Sequence, residues 1–164
     1  MRKLYLLLLL PVFVFSCIED DEDLNRERIR GSWVNETEYE NQTLESTFIF
    51  QPNGTFENIS KRIQGNGDFQ TGILSVSTGN YSFEDGELIL RTNTISNAEE
   101  WENPPATSEE LIESDNVSSI PDKAEISFEE NNSVMILLFY QCNDTHTGGF
   151  SNCAPPTPMR YDKI

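Results

Sequence analysis

The sequence predicts an all-β protein in which eight antiparallel strands follow one another as an up-and-down meander and close into a barrel. Three observations support this fold class: short segments with alternating apolar and polar residues, tight-turn sequences between them, and only one weak helical pattern. Alternation with a period of two is typical of strands that have one buried face. Strands joined by short turns form a closed barrel or a β-sandwich, and the sandwich is the alternative fold.

Eight segments fit the strand pattern. In the second of them, Leu44, Phe48 and Phe50 share one parity, and polar residues occupy most of the other. Residues 134–139 are apolar on both parities, which predicts a strand that is covered on both faces. The predicted strands are residues 32–40, 44–51, 55–63, 73–83, 87–95, 123–129, 133–141 and 159–163.

Two sequences mark hairpin turns between these strands. Residues 51–55 read Gln-Pro-Asn-Gly-Thr, in which Asn-Gly favours the positive φ angles of a tight hairpin. Residues 84–86, Glu-Asp-Gly, predict a second turn. The apolar parity slips between Phe56 and Ile59, which predicts a bulge or a bend there, and a further break is expected near Gly79.

Residues 96–122 interrupt the strand pattern as a long polar insertion. Seven acids lie between Glu99 and Asp115, and the insertion has no basic residue. Loops of this length are usually functional or disordered. A short helix is expected over residues 108–114, with Ser108 as its cap. Trp101 either stacks on a sugar ring or pins the insertion to the barrel, and the sequence leaves both open.

The first 17 residues predict export and lipid attachment. A basic start is followed by an apolar run over residues 4–15, which is too short for a membrane-spanning helix of about 20 residues. Residues 14–17, Val-Phe-Ser-Cys, resemble the lipobox of bacterial lipoproteins. That resemblance implies that residues 1–16 are a signal peptide and that Cys17 carries palmitate-type acyl chains, which hold the protein on a membrane. Phe15 is bulkier than the usual residue, and the alternative is an ordinary secretory signal with a chance cysteine.

Residues 17–28 predict an acidic, flexible tether, with one or two helical turns near residues 24–30. Residues 19–23 are five consecutive acids, which repel one another and do not pack. The run resembles the acid-rich export tract that follows the lipidated cysteine in surface lipoproteins of Bacteroidota. The resemblance implies an outer-membrane protein displayed at the cell surface, whereas the alternative is a plain spacer.

Composition limits the remaining classes. Without its leader the chain keeps nine of its 11 basic residues against 28 acids, a net charge of about −19. Such a charge argues against nucleic acid, which needs clustered Lys and Arg, but leaves room for cationic partners. Residues 29–164 are expected to form one domain with a sizeable core.

Cys142 and Cys153 form an even pair once Cys17 carries lipid, and they are expected to form a disulfide. A zinc site would need four ligands, and His146 with these two cysteines provides at most three. No metal and no cofactor is therefore expected. Several Asn-X-Ser/Thr triplets would suggest glycans in a eukaryotic protein, but with a lipobox they reflect an Asn- and Thr-rich composition.

Three segments together resemble lipocalins and bacterial lipocalin-like lipoproteins. Residues 29–33 (Ile-Arg-Gly-Ser-Trp) match their opening, residues 48–56 their next hairpin, and residues 79–88 their Gly-X-Tyr hairpin. The resemblance implies an eight-stranded barrel that holds a small apolar molecule. The insertion departs from the pattern, and near the C-terminus only Arg160 stands in for the arginine that packs over the opening tryptophan.

The candidate ligand-binding residues are the aromatic side chains of these strands. They either line a cavity or simply fill the barrel, since eight strands enclose a space that side chains can just fill. The sequence does not decide between the two. The candidates are Trp33, Phe48, Phe50, Phe56, Tyr81 and Phe83.

No catalytic residues are predicted, and the protein is not expected to be an enzyme. His146 is the single histidine and lacks a nearby serine elbow, and no Gly-rich phosphate loop occurs. The expected function is binding of a small apolar ligand or a partner by a membrane-anchored barrel. One alternative is a carbohydrate-active enzyme that uses paired acids such as Glu99-Glu100 and Glu109-Glu110. Another is a ligand-free structural or interaction subunit of a surface complex.

Overall fold

The computed structural model describes residues 21–139 and 157–164. Eight strands form a closed antiparallel barrel, so the predicted fold class is confirmed. A ninth strand of two residues pairs with the end of one barrel strand, and one helix precedes the barrel. No helix in the described residues is long and apolar enough to cross a membrane. The elements are α1 (Asp21–Ile29), β1 (Gly31–Tyr39), β2 (Gln42–Phe50), β3 (Thr55–Gly65), β4 (Gly72–Glu84), β5 (Glu87–Asn97), β6 (Ile112–Glu113), β7 (Asp122–Glu129), β8 (Val134–Phe139) and β9 (Met159–Lys163).

The barrel closes because each strand pairs with its neighbours in the meander. The order is β1-β2-β3-β4-β5-β7-β8-β9, with β9 returning to β1. The last pairing is short, since only Trp33 and Val34 of β1 are paired, with Lys163 and Asp162. β6 pairs with β5 at Ser96 and Asn97, beyond the part of β5 that pairs with β7.

Both predicted hairpin turns are present, but they use their residues differently. In the turn after β2, Gly54 has a positive φ of 84°, whereas the Asn53 side chain accepts hydrogen bonds from the Thr55 amide (3.1 Å) and hydroxyl (2.7 Å). In the turn after β4, both Asp85 (φ 54°) and Gly86 (φ 84°) have the positive angles of a two-residue hairpin.

The bulge predicted between Phe56 and Ile59 is wrong. The ladder is regular there, and the registers shift only later, between Ser60 and Lys61. The parity slips because Asn58, a polar residue, occupies an inner position beside Phe56. The break expected near Gly79 is confirmed by a register shift between Thr78 and Gly79.

Part of the segment expected to be a tether forms α1. Its acids Glu22 and Asp23 are exposed, as their charge predicts, but Ile29 at the end of the helix is buried. The Trp33 indole N–H donates to the Ile29 carbonyl at 2.6 Å, which satisfies one of the acceptors that a helix end leaves open. Burial of Ile29 and this hydrogen bond tie the helix to the barrel.

The helix expected over residues 108–114 is wrong. Only one 3₁₀ turn forms, at Ser108–Glu110, and the chain then becomes extended as β6. Thr107 rather than Ser108 precedes the turn, and neither caps it through a side chain. Pairing of β6 with β5 therefore decides the local structure over helix propensity.

Candidate functional site

The barrel interior divides into two halves. We call the half nearest the turns at residues 51–55 and 84–87 the closed half, and the half nearest the insertion the open half. Aromatic side chains pack the closed half: Phe50 meets Tyr81 edge to face at 5.1 Å between ring centroids, and Tyr81 meets Phe83 at 6.4 Å. Burial raises the pKa of the Tyr81 phenol, which donates to the Gln51 carbonyl at 2.9 Å.

All six candidate aromatic residues are buried in the barrel. Trp33, Phe50, Tyr81 and Phe83 fill the closed half, so for these four the structure supports filling. Phe48 and Phe56 differ, because they border open space as well as other rings. The sequence therefore predicted which aromatic residues face the interior, but not which of them fill the core and which line a cavity.

Lys163, not Arg160, packs over the opening tryptophan. The Lys163 ammonium lies 4.8 Å from the Trp33 ring centroid, and the two residues are register partners. Arg160 has the outward parity of β9 and forms ion pairs with Glu129, Glu130 and Asp162. The prediction that Arg160 packs over the opening tryptophan is therefore wrong, because alternation along β9 places its side chain on the outer face.

A cavity of about 310 Å³ occupies the open half above Phe48 and Phe56. Aromatic rings form its floor, and polar groups project into it from β2, β3, β4, β5 and the start of β7. The described lining residues are Ser46, Phe48, Phe56, Asn58, Ser77, Leu90, Thr92, Asp122, Phe139, Met159 and Tyr161.

The polar wall is only partly satisfied from within the protein. Ser46 donates to the Asn58 side-chain oxygen at 3.0 Å. Burial raises the pKa of Tyr161, although a hydrogen bond with Ser46 opposes this shift. The Ser77 and Thr92 hydroxyls form no hydrogen bond within residues 21–139 and 157–164. These two groups are available to a bound molecule.

Asp122 lies at the rim of the cavity, where β7 begins opposite Leu90. The side chain is accessible to solvent, and desolvation by its surroundings nevertheless raises the pKa of its carboxyl. In the described part of the chain this carboxylate has no ion-pair or hydrogen-bond partner. It is the one charged lining residue among those described.

Arg62 anchors the insertion to the barrel. It shares the inner face of β3 with Phe56 and Asn58 and is 1% exposed. Its Nε donates to Gln42 at 2.6 Å, and Nη1 donates to the carbonyls of Gln70 and Trp101, both at 2.9 Å.

The surroundings of the Arg62 guanidinium are aromatic as well as polar. Its Cζ lies 5.0 Å from the Phe69 ring centroid and 5.3 Å from that of Trp101. Desolvation lowers the pKa of Arg62, and the nearby charge of Glu102 opposes this. Nη2 is buried without a hydrogen-bond partner among the described residues. Arg62 was not predicted from the sequence, because its partners in the loop and the insertion are distant along the chain.

Trp101 holds the insertion against the barrel through its contact with Arg62, which is one of the two expectations for this residue. Trp101 nevertheless remains 49% exposed. Nearby, Glu99, Glu100 and Glu110 line an open depression of about 440 Å³ on the insertion. Three of the four paired acids thus line one depression, whereas Glu109 is not among its lining residues. No group of three or more residues able to ligate a metal occurs in the described ranges.

Other predicted positions cannot be placed. Cys17, Cys142, Cys153 and His146 lie outside the described residues. Comparison with family models, curated proteins and solved structures finds no match to this chain.

Proposed function

We propose that this chain is a lipid-anchored binding protein whose barrel holds a small, largely apolar molecule in its open half. The observation that carries the proposal is the cavity of about 310 Å³, with Phe48 and Phe56 at its floor. Ligand pockets of about 300–1,000 Å³ with apolar walls and a few polar groups are typical of small-molecule sites. This cavity suits a molecule of one or two rings.

The polar wall supports a ligand rather than a filled core. The Ser77 and Thr92 hydroxyls line the cavity and have no hydrogen-bond partner in residues 21–139 and 157–164. Both residues are partly accessible, so a bound molecule can reach these hydroxyls. The resemblance to lipocalins is a second, independent support, because it implies a barrel that holds a small apolar molecule.

The proposed location is the outer membrane, with the barrel displayed at the cell surface. The lipobox at residues 14–17 and the acids at residues 19–23 support it. Cys17 lies only four residues before α1, within about 14 Å of its start even in an extended chain. Since α1 leads into β1 at the closed end, an anchor there leaves the cavity facing away from the membrane.

A second candidate is carbohydrate binding or hydrolysis on the insertion. The exposed face of Trp101 and the depression lined by Glu99, Glu100 and Glu110 favour it. We rank it second because aromatic and aliphatic side chains such as Phe48, Phe56 and Leu90 line the barrel cavity, whereas the depression is lined mainly by polar groups. We do not propose an enzymatic reaction for the barrel.

The binding proposal is tested by recovery of the natural ligand. The full chain is purified from membranes, and small molecules are extracted and identified by mass spectrometry. The Ser77→Phe variant places a ring in the cavity and should lose the ligand. Val76→Phe is the matched control, because alternation places it on the outer face. Equal recovery from both variants, or no ligand from wild type, would contradict the proposal.

The anchor is tested separately. Cys17→Ala should abolish incorporation of labelled fatty acid and shift the protein out of the detergent phase, since the thiol is the proposed acceptor. Equal labelling of the variant would refute lipidation at this position without affecting the cavity.

A further inference from the structure

We infer that the ligand of the open half is an organic cation: the geometry points to an apolar or aromatic body that carries a protonated amine, with Asp122 as its counter-ion. This inference rests on the proposed function and adds the charge class of the ligand to it.

The first step is the position of the carboxylate. Asp122 pairs with Leu90 in the β5–β7 ladder, and both residues line the cavity. The carboxylate has no ion-pair or hydrogen-bond partner in the described ranges. Its surroundings partly desolvate it, which makes the isolated charge unfavourable and raises the pKa of the group. A cation bound beside it would relieve that penalty.

The second step is the absence of a competing base from the described cavity wall. Arg62 shares the inner face of β3, but it is committed to Gln42 and to carbonyls of the loop and the insertion. Lys163 lies over Trp33 in the closed half. An anionic ligand would therefore face Asp122 with no described cation to offset the repulsion.

The third step is the match between the rest of the wall and an amine. Ser77 and Thr92 offer hydroxyl acceptors for ammonium N–H groups. The rings of Phe48, Phe56 and Tyr161 border the same space and can stack on an aromatic body or attract a cation at their faces. The net charge of −17 raises the local concentration of cations around the whole molecule.

The experiment compares three indoles of nearly equal size: tryptamine, tryptophol and indole-3-propionate, which are cationic, neutral and anionic at neutral pH. Each is titrated calorimetrically into the full chain in nonionic detergent, and heats from micelles alone are subtracted. Tryptamine should bind about tenfold more tightly than tryptophol, as expected for a hydrogen bond between charged groups. Indole-3-propionate should bind most weakly.

Asp122→Asn should remove the preference and bring tryptamine within about twofold of tryptophol. Asp85→Asn is the control: it removes one charge at the far turn, where asparagine tolerates the positive φ. A loss of preference in both variants would assign the effect to overall charge and overturn the inference.

The outcomes also separate this inference from the proposed function. If tryptophol binds wild type but not Ser77→Phe, and tryptamine binds no better, the charge inference is wrong and the binding function stands. If tryptamine does not bind at all, the inference is wrong whatever else is found. If, in addition, no ligand is recovered from wild-type membranes, both proposals fall.

Discussion

The closed and open halves of the barrel are built from the same strands but have different interiors. Along β3 the inner positions change from Phe56 to Asn58 and Ser60, and along β2 from Phe50 and Phe48 to Ser46. The backbone pairing differs as well, because the β3–β4 register shifts between Ser60 and Lys61 and the β5–β7 ladder ends at Leu90. Packed side chains fill the closed half, whereas the open half contains the cavity. This division allows an eight-stranded barrel, which side chains can just fill, to keep a cavity.

The two halves are also held together differently. Ring contacts stabilise the closed half, such as the stacked pair Phe48 and Phe50 at 5.4 Å and the tilted pair Trp33 and Phe128 at 5.8 Å. Aromatic pairs contribute about 0.5–1.5 kcal/mol beyond the burial of their area. In the open half, the buried guanidinium of Arg62 binds carbonyls of both the β3–β4 loop and the insertion. Substitutions should therefore have different consequences in the two halves.

The largest effect is expected in the closed half, at Trp33. Trp33→Ala should lower the free energy of unfolding by about 3–5 kcal/mol, because it leaves a large cavity. It also removes the hydrogen bond to Ile29 and the contact with Lys163. Urea denaturation measures the loss. Trp33→Phe keeps a ring without the indole N–H and should lose less. A loss below about 1 kcal/mol for Trp33→Ala would show that the closed half is not tightly packed.

Arg62 should give the next largest effect, confined to the open half. Arg62→Leu should cost about 1.5–3 kcal/mol, the range for hydrogen bonds to a charged group. The amides of Gln70 and Ile73, which bond to Glu102 and Pro105 of the insertion, should exchange hydrogen faster. The Tyr81 amide, which bonds to Gly54 in the closed half, should not change.

Arg62→Lys serves as the control for charge. Lysine keeps the positive charge but lacks the planar fork that reaches Gln42 and the two carbonyls at once. It should therefore lose most of the same protection. If Arg62→Lys behaves as wild type, charge rather than hydrogen-bond geometry holds the insertion.

The backbone of both halves was predictable from sequence, because alternation and turn residues are local signals. The parity of Phe48 and Phe50 and the Glu-Asp-Gly turn placed their strands within a few residues of the observed ends. Inner positions of the closed half were found in the same way, since an aromatic residue at an inward position is recognisable by its period.

The open half was not predictable, because its signals are non-local. Asn58 faces inward, and a polar residue at an inward position was interpreted as a bulge. Arg62 is buried among partners that include the carbonyl of Trp101, 39 residues later in the chain. Asp122 borders the cavity because β7 begins opposite Leu90, which depends on how the chain returns after the insertion. Local pattern contains none of these contacts.

A smaller effect should separate filled from open space directly. Phe50→Trp enlarges a ring that Phe48, Phe56 and Tyr81 already surround, and it should cost about 1–3 kcal/mol. Thr92→Leu adds apolar volume in the cavity and should change the free energy of unfolding by less than about 1 kcal/mol while weakening ligand binding. Equal losses for the two variants would mean that the open half is as tightly packed as the closed half.

The smallest stability effect is expected at Asp122, and its sign depends on pH. Partial desolvation raises the pKa of this carboxyl in the folded protein above its value of about 3.9 in the unfolded chain. The folded state therefore binds the proton more tightly, and ionisation at neutral pH opposes folding. Asp122→Asn removes that penalty and should raise the free energy of unfolding slightly at about pH 7, with little change at about pH 3, where the carboxyl is protonated in both states.

Urea denaturation of wild type and Asp122→Asn at the two pH values measures this difference, with ligand removed beforehand. Removal matters because a bound cation would reverse the sign at neutral pH: it binds wild type more tightly and therefore stabilises wild type more than the variant. Relative to wild type, Asp122→Asn should therefore have a slightly higher free energy of unfolding without ligand and a lower one with tryptamine present. If Asp122→Asn raised the free energy of unfolding equally at both pH values, the cause would be the asparagine amide rather than the loss of the Asp122 charge.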